Sequence, residues 1–113
     1  MLGNVMKSDD RIRYATVCDM EGKELGTKIR EGVKPILDDE EHQEALSFAV
    51  NHMKERSKLS PKLGKTQYVF AAYDNLDRLT MPIGDKYVLL ITWAPQGATL
   101  DIFKHIQKAL QQT

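Results

Sequence analysis

Apolar and polar residues alternate near the start of the chain, which is the period of a strand with one buried face. One alternating run covers residues 12–20 and a second covers residues 23–30, with Glu21-Gly22 between them. Because glycine can take the positive φ of a tight turn, the two runs predict a β-hairpin. The pattern places four residues on one face of the first strand: Ile12, Tyr14, Thr16 and Cys18. Residues 1–10 carry a weak period and predict either a short helical turn or a frayed arm.

The spacing of apolar residues changes to three and four in the middle of the chain, which predicts an amphipathic helix. Its apolar positions are Ala45, Leu46, Ala49, Val50 and Met53. The acidic residues 38–41 suit the positive end of the helix dipole, and the basic residues from Lys54 to Lys65 suit its negative end. Either charged block could also dock a partner. Proline disfavours helical geometry in the residue before it, so we expect the helix to end near Ser60-Pro61.

Three further strands and a last helix follow. Residues 66–73 are rich in β-forming side chains, residues 78–83 alternate, and residues 86–93 are apolar at nearly every position. A strand that is apolar throughout is typical of the centre of a sheet with both faces covered. Thr99 can cap the final helix. The apolar positions of that helix are Leu100, Ile102, Phe103, Ile106 and Leu110.

These elements predict an α+β fold in the order β-β-α-β-β-β-α, with a five-stranded, mostly antiparallel sheet and two helices packed on it. We expect a single domain over residues 11–112, preceded by a short N-terminal arm at residues 1–10. We also expect two layers, in which one face of the sheet takes the helices. An apolar sheet face or edge that stays uncovered would seek a partner.

Composition narrows the class of protein. The chain has 113 residues, with 16 basic and 16 acidic side chains and a single cysteine, Cys18. One cysteine forms no internal disulfide and no signal peptide is evident, so we expect a reducing, cytoplasmic setting. The zero net charge argues against nucleic acid as the main partner, and no apolar run is long enough to predict insertion into a membrane.

The candidate chemical motifs are weak. Gly64-Lys65-Thr66 is similar to the end of a phosphate-binding loop, but Leu59 stands where that motif needs glycine, and this turn leads from a helix into a strand. His42, His52 and His105 lack metal-ligand spacing. Cys18 on a strand is typical of a small buried side chain, and Asp74 and Asp77 suit a turn. We therefore predict no catalytic, cofactor-binding or metal-binding residues and no enzymatic activity.

The order of elements, with Asp19-Met20-Glu21-Gly22 closing the first strand, resembles the Roadblock/dynein-light-chain fold and its longin and profilin-like relatives. Roadblock domains normally open with a full helix, whereas only ten residues precede the first strand here. Shorter stretches resemble an uncharacterised family of short archaeal proteins that carries no known activity. These stretches are Arg30-Glu31-Gly32-Val33-Lys34-Pro35, Leu63-Gly64, Met81-Pro82-Ile83 and the strand from Tyr87 to Ile91.

The Roadblock resemblance implies homodimers or heterodimers in which the third strand and the long helix meet their counterparts and one sheet extends across two subunits. At those places the sequence has Leu46, Ala49, Val50 and Met53 on the helix, and Tyr68, Phe70 and Ala72 on the strand. Large aromatic side chains are enriched at interfaces. The alternative is that the same residues only fill the core of the single chain.

Two functions remain open at this point. The first is a non-enzymatic, homodimeric interaction or scaffold module, for which the resemblance implies a small Ras-like GTPase as a partner. The second is a small-molecule sensor with a pocket between helix and sheet, in which Tyr14, Tyr87, Trp93 and Phe103 could line the pocket. The process in which the protein acts, its ligand and the geometry of any dimer lie beyond the sequence.

Overall fold

The computed structural model describes residues 1–95 and 100–111, with the backbone alone for Leu100. The expected cap at Thr99 and the expected domain end at residue 112 lie outside these residues. The chain forms four helices and five strands in the described part: α1 (Leu2–Ser8), β1 (Ile12–Asp19), β2 (Glu24–Ile29), α2 (Asp39–Ser57), α3 (Ser60–Leu63), β3 (Val69–Ala72), β4 (Asp77–Ile83), β5 (Tyr87–Trp93) and α4 (Leu100–Gln111).

The five strands form one sheet in the order β2-β1-β5-β4-β3, and every neighbouring pair is antiparallel. The predicted α+β fold with a five-stranded sheet is confirmed. The described chain has two short helices more than the predicted order: α1, which the sequence left open as a helical turn, and α3, which it did not predict. β3 is also shorter than predicted, because residues 66–68 and Tyr73 lie outside the strand.

The helices cover both faces of the sheet, so the expected two-layer arrangement is wrong. On one face, α1 and α4 pack against side chains such as Leu89 and Ile91 of β5. On the other face, α2 packs through Leu46, Ala49, Val50 and Met53 against Cys18 of β1 and Val88 and Leu90 of β5. Successive side chains of a strand point to opposite faces, so the apolar run of β5 supplies both cores.

A bulge in β1 changes the face on which its first residue lies. The register between β1 and β5 shifts between Ile12 and Tyr14. Ile12 therefore joins the core under α1 and α4, whereas the simple alternation predicted it beside Tyr14, Thr16 and Cys18. An extra residue in one strand reverses the side-chain direction on one side of the bulge, and period counting cannot detect that reversal.

The N-terminal residues form a helix, the first of the two predicted alternatives, and its Val5 is fully buried. Arg30 holds this helix in place. Its Nη2 donates to the carbonyl oxygens of Met6 (2.8 Å) and Asp9 (3.0 Å), and its Nε donates to that of Ile12 (2.9 Å). The guanidinium thus satisfies carbonyls at the end of α1 that have no helical partner.

Helix α2 begins at a capping box, in which Asp38 accepts from the Glu41 backbone N–H and the Glu41 side chain accepts from that of Asp38. The predicted start is thereby confirmed. The helix ends at Ser57, earlier than predicted, and Ser60-Pro61 instead opens α3. Proline suits the first turn of a helix, where its missing N–H has no partner to lose.

The β1–β2 turn fixes α2 over the sheet. Gly22 in that turn has φ +81°, and a Cβ there would lie 3.3 Å from the Ser47 Oγ, so the turn and α2 approach closely only through glycine. The Gln43 side chain donates to the Gly22 carbonyl oxygen (2.9 Å). Among the described residues, no helix has the length and apolar character needed to cross a membrane.

Candidate interaction surface

A second face of α2 lies beside its buried face and remains open to solvent. Side chains spaced by three or four residues from Ala45 to Arg56 face a groove between α2 and the strands β3 and β4. We call this the α2 groove. It has a volume of ≈ 80 Å³ and is lined by Ala45, Phe48, Ala49, His52, Met53, Arg56, Val69, Ala71, Tyr73, Arg78 and Thr80. Phe48 is 62% exposed, and its ring lies 4.0 Å from that of His52.

The edge strand β3 borders the α2 groove. β3 pairs with β4 on one side and is the last strand of the sheet on the other. Phe70 points to the face opposite α2, where its ring stacks 6.1 Å from that of the buried Trp93, and it remains 42% exposed. In the described part of the chain, this edge therefore offers backbone groups without a ladder partner, with the exposed Phe70 on one face of the sheet and the exposed Phe48 of α2 beside the other.

The seven residues predicted for a dimer interface fall into two groups. Leu46, Ala49, Val50 and Met53 are buried against the sheet of their own chain. Tyr68 is half-buried, with its ring 4.2 Å from that of Phe103, while Phe70 and Ala72 are exposed. The sequence analysis missed Phe48, whose side chain is the most exposed of the aromatic rings that border the groove.

Arg78 lies on the floor of the α2 groove, and no carboxylate of the described residues pairs with it. Its Nη2 donates to the Tyr14 hydroxyl at 3.3 Å, and its Nε is buried with no hydrogen bond in the described part of the chain. The neighbouring Asp77 points to the other face of the sheet, because successive side chains of a strand alternate. The groove thus contains Arg78, Arg56 and His52, and none of the described residues that line it is acidic.

The other candidate residues have structural partners. The His42 Nε2 lies 2.7 Å from the Glu24 carboxylate, which ties α2 to the start of β2. Cys18 is buried, and burial raises the pKa of its thiol to about 11, so it stays protonated and unreactive near neutral pH. Gly64 ends α3 with φ +85°, which supports the prediction of a plain helix-to-strand turn at Gly64-Lys65-Thr66.

One group of metal-ligand side chains does come together. Oxygen and nitrogen atoms of Asp9, Asp101 and His105 lie within 4.8 Å of one another. However, the Arg11 guanidinium donates to both carboxylates, at 2.6 Å to Asp9 and 2.7 Å to Asp101. These hydrogen bonds hold the pKa of both carboxyls below the usual range. The positively charged Arg11 side chain already neutralises these carboxylates. The group therefore serves as an ion-pair network between α4 and the segment just before β1.

The four aromatic residues proposed for a sensor pocket are not brought together. Tyr14 faces α2, where its ring contacts His42 edge-on. Trp93 and Phe103 are buried on the opposite face, in the core under α1 and α4. Tyr87 is exposed at the start of β5. This form of the sensor hypothesis is therefore wrong, because the sheet separates the residues it needs.

The sequence matches no protein-family model and no curated protein. Solved structures share its fold. The gliding protein MglB from Thermus thermophilus aligns with a TM-score of 0.75 at 16% identity, over 96% of this chain and 78% of that protein. A Roadblock/LC7 domain from Streptomyces avermitilis aligns with a TM-score of 0.73 at 9% identity, over 99% and 92%. An MglB with a tetrameric arrangement gives 0.74 at 17% identity, over 98% and 80%. The fold of this chain is that of the Roadblock/LC7 domains.

Proposed function

We propose that this protein is a non-enzymatic interaction module of the cytoplasm that acts as a homodimer and binds a small Ras-like GTPase. The observation that carries the dimer is the open border formed by the α2 groove and the edge of β3. Exposed aromatic side chains lie on both sides of this border, at Phe48 and Phe70. Apolar side chains of this size gain free energy when a partner removes them from water.

The β3 edge supports a partner that supplies a strand. Its outer N–H and C=O groups have no ladder partner in the described chain. A second copy of β3 running antiparallel would satisfy these groups and continue the sheet across two subunits. A symmetric dimer of this kind uses the same surface on both chains.

The charges along α2 support the same arrangement. The solvent-facing stripe beside the groove has an acid, Glu41, near its start and a base, Arg56, near its end, with Ala45, Phe48 and His52 between them. If two α2 helices pack antiparallel, Glu41 of each chain faces Arg56 of the other and the two Phe48 rings meet near the middle. Two symmetric ion pairs then flank an apolar centre, whereas a parallel pairing would place like charges together.

The interface residues predicted from the sequence take two roles in this proposal. Phe70 and Ala72 on the exposed strand edge are proposed direct contacts, with Tyr68 next to them. Leu46, Ala49, Val50 and Met53 support α2 from below, and Phe48 joins the contacts as the main side chain of the helix. The MglB structure with a tetrameric arrangement shows that a protein of this fold self-associates.

The first experiment is light scattering of the wild type and three variants. We expect a wild-type mass near twice 12.9 kDa, and folded monomers for Phe48→Glu and Phe70→Glu. The first places a charge in the middle of the helix contact, and the second places one beside the paired strand edges. Leu25→Glu is the matched control, since Leu25 is 50% exposed on β2 at the opposite edge of the sheet. A monomeric wild type, or variants that remain dimeric, would contradict the proposed interface.

The antiparallel register has its own test in a double-mutant cycle on the dimer Kd. Glu41→Gln removes the charge and keeps a side chain that can complete the capping box. We expect it and Arg56→Gln each to weaken the dimer by about 0.2–1 kcal/mol per ion pair, and the double variant to be no weaker than either single variant. Additive losses would mean that the two side chains do not face each other.

The proposed GTPase partner is supported by the Roadblock resemblance. It is tested by titrating the dimer with Ras-like GTPases of the same organism, loaded with GDP or with a non-hydrolysable GTP analogue. We expect a complex with one nucleotide state. If neither state of any such GTPase binds a dimer that light scattering has established, the GTPase assignment fails while the dimer stands.

A further inference from the structure

A second cavity adjoins the α2 groove and shares Tyr73 and Arg78 with it. Its volume is ≈ 380 Å³, within the range of small-molecule sites. The wall is mostly apolar and comes from three segments: Ile36 and Leu37 before α2, Tyr73 and Leu76 at the β3–β4 turn, and Arg78 of β4. We call this the Arg78 cavity.

Arg78 is the residue of this cavity whose charge would be stabilised by a bound anion. The exposed Asp74 also borders the cavity, yet no ion pair joins it to Arg78 in the described structure. Arg78 is half-buried, and among the described residues its Nε is enclosed without a partner and its one hydrogen bond goes to the uncharged Tyr14 hydroxyl. A half-buried charge that lacks a counter-charge raises the free energy of the folded chain, and an anion would remove that penalty.

We propose that the Arg78 cavity binds a small monocarboxylate with an aromatic or branched apolar body. The carboxylate pairs with the Arg78 guanidinium, whose planar fork suits two carboxylate oxygens. The apolar body lies against Ile36, Tyr73 and Leu76. The site differs from the sensor pocket predicted from the sequence, of whose aromatic residues only Tyr14 contacts Arg78.

The test is a titration followed by ¹H–¹⁵N NMR with two probes of equal size, 3-phenylpropionate and 3-phenylpropanamide. We expect the acid to shift the Arg78 Nε–H resonance and the backbone amides of residues 73–76. We expect the neutral amide to bind roughly 10- to 100-fold more weakly, the factor typical of losing a hydrogen bond to a charged group. Equal binding of the two probes would overturn the proposal, because it would mean recognition of the apolar body alone.

Two variants locate the site. Arg78→Met keeps an unbranched apolar stem and removes the guanidinium with its charge, and we expect it to bind the acid no better than the amide. Ile36→Asp changes an exposed loop residue, leaves Arg78 intact and should abolish binding by placing a negative charge in the apolar wall. It keeps the test decisive if Arg78→Met folds poorly.

Further results would contradict binding of a monocarboxylate in the Arg78 cavity. If neither probe binds the wild type at millimolar concentration, or if the Ile36→Asp variant binds the acid as the wild type does, the proposal is wrong. If no probe binds and Arg78→Met weakens the dimer, Arg78 instead meets an acidic side chain of a second copy, which also overturns it. These readouts are independent of light scattering on Phe48 and Phe70 variants.

Discussion

At the scale of single residues, Asp9 is the most heavily hydrogen-bonded carboxylate in the described structure. It accepts from the Arg11 Nε (2.9 Å), the Arg11 Nη2 (2.6 Å), the Arg11 backbone N–H (2.9 Å) and the His105 Nδ1 (3.0 Å). Its side chain is only 6% exposed. The Arg11 side chain is the main reason that the pKa of Asp9 falls well below its usual range.

This lowered pKa predicts a pH-dependent effect of Asp9→Asn. A carboxyl whose pKa is lower in the folded chain than in the unfolded chain stabilises the fold above the unfolded value, about 4, and loses that effect as the pH falls through the folded pKa. We expect Asp9→Asn to lower the free energy of unfolding by about 1–3 kcal/mol at pH 7. The difference from wild type should shrink at pH 3.

The measurement is urea denaturation of both proteins at pH 7 and pH 3. Comparison at each pH cancels the other carboxyl groups, which titrate in both proteins. A difference that stays constant between the two pH values would mean that Asp9 contributes through packing and not through its charge.

Met53 gives a second residue-scale prediction, which separates the core of the chain from its interface. Because Met53 is buried against β1 and β5, Met53→Glu should lower the free energy of unfolding by about 3 kcal/mol or more. Phe48→Glu, on the exposed side of the same helix, should change the stability of the monomer by less than about 0.5 kcal/mol. Thermal melts of the two variants at a concentration below the dimer Kd make the comparison. Equal losses would place Met53 outside the core.

At the scale of elements, α1 depends on side-chain contacts from another element. Isolated helices of fewer than about 12 residues are marginal in water, and α1 has seven. Val5 and Met6 fix it to the core, and the Arg30 guanidinium binds its last carbonyls. Arg30, the first residue of the Arg30-Glu31-Gly32 stretch noted in the sequence, thus has a structural role, which is to hold the end of α1.

We expect Arg30→Met to release α1 while the sheet stays folded. Hydrogen exchange of the amides of residues 5–8 should become fast, and those of β1 and β5 should stay protected. The loss in stability should be about 1.5–3 kcal/mol, as for hydrogen bonds from a charged group. Lys28→Met, two residues earlier in β2, is the control, because Lys28 is exposed. Unchanged protection of α1 in Arg30→Met would show that Val5 and Met6 hold it alone.

The sequence predicts elements well where the period of the pattern decides the structure. The hairpin, α2 and β5 carry strong patterns, and each lies within a few residues of its predicted place. For α1 the sequence left a helical turn and a frayed arm open, and it did not predict α3, because a one- or two-turn helix shows little periodicity and is set by tertiary contacts. The register shift at Ile12 could not be predicted from the periodicity either, because a bulge depends on the neighbouring strand.

At the scale of the whole molecule, hydrophobic periodicity is equally limited in predicting the candidate interaction surface. The search for apolar spacing finds the stripe from Leu46 to Met53, which is the stripe that faces the core. The outward stripe mixes acid, aromatic and base, so apolarity alone does not reveal it. Its charge reverses from Glu41 to Arg56, a pattern that the helix dipole explains within one chain and that the proposed antiparallel dimer would also use. Arg78 has no local signal, because its neighbour Tyr14 is distant in sequence.

The position of β5 between β1 and β4 also constrains how the chain reaches this fold. Thr16 of β1 pairs with Leu90 of β5, so the central ladder joins the beginning of the sequence to its last strand. During synthesis the β1–β2 hairpin leaves the ribosome before β5 does. One edge of β1 therefore stays unpaired until β5 has been released. Closing so long a loop is slow compared with forming local contacts. During this interval the unpaired edge of β1 can pair with another chain and aggregate. The folded sheet removes this risk, because β5 covers that edge.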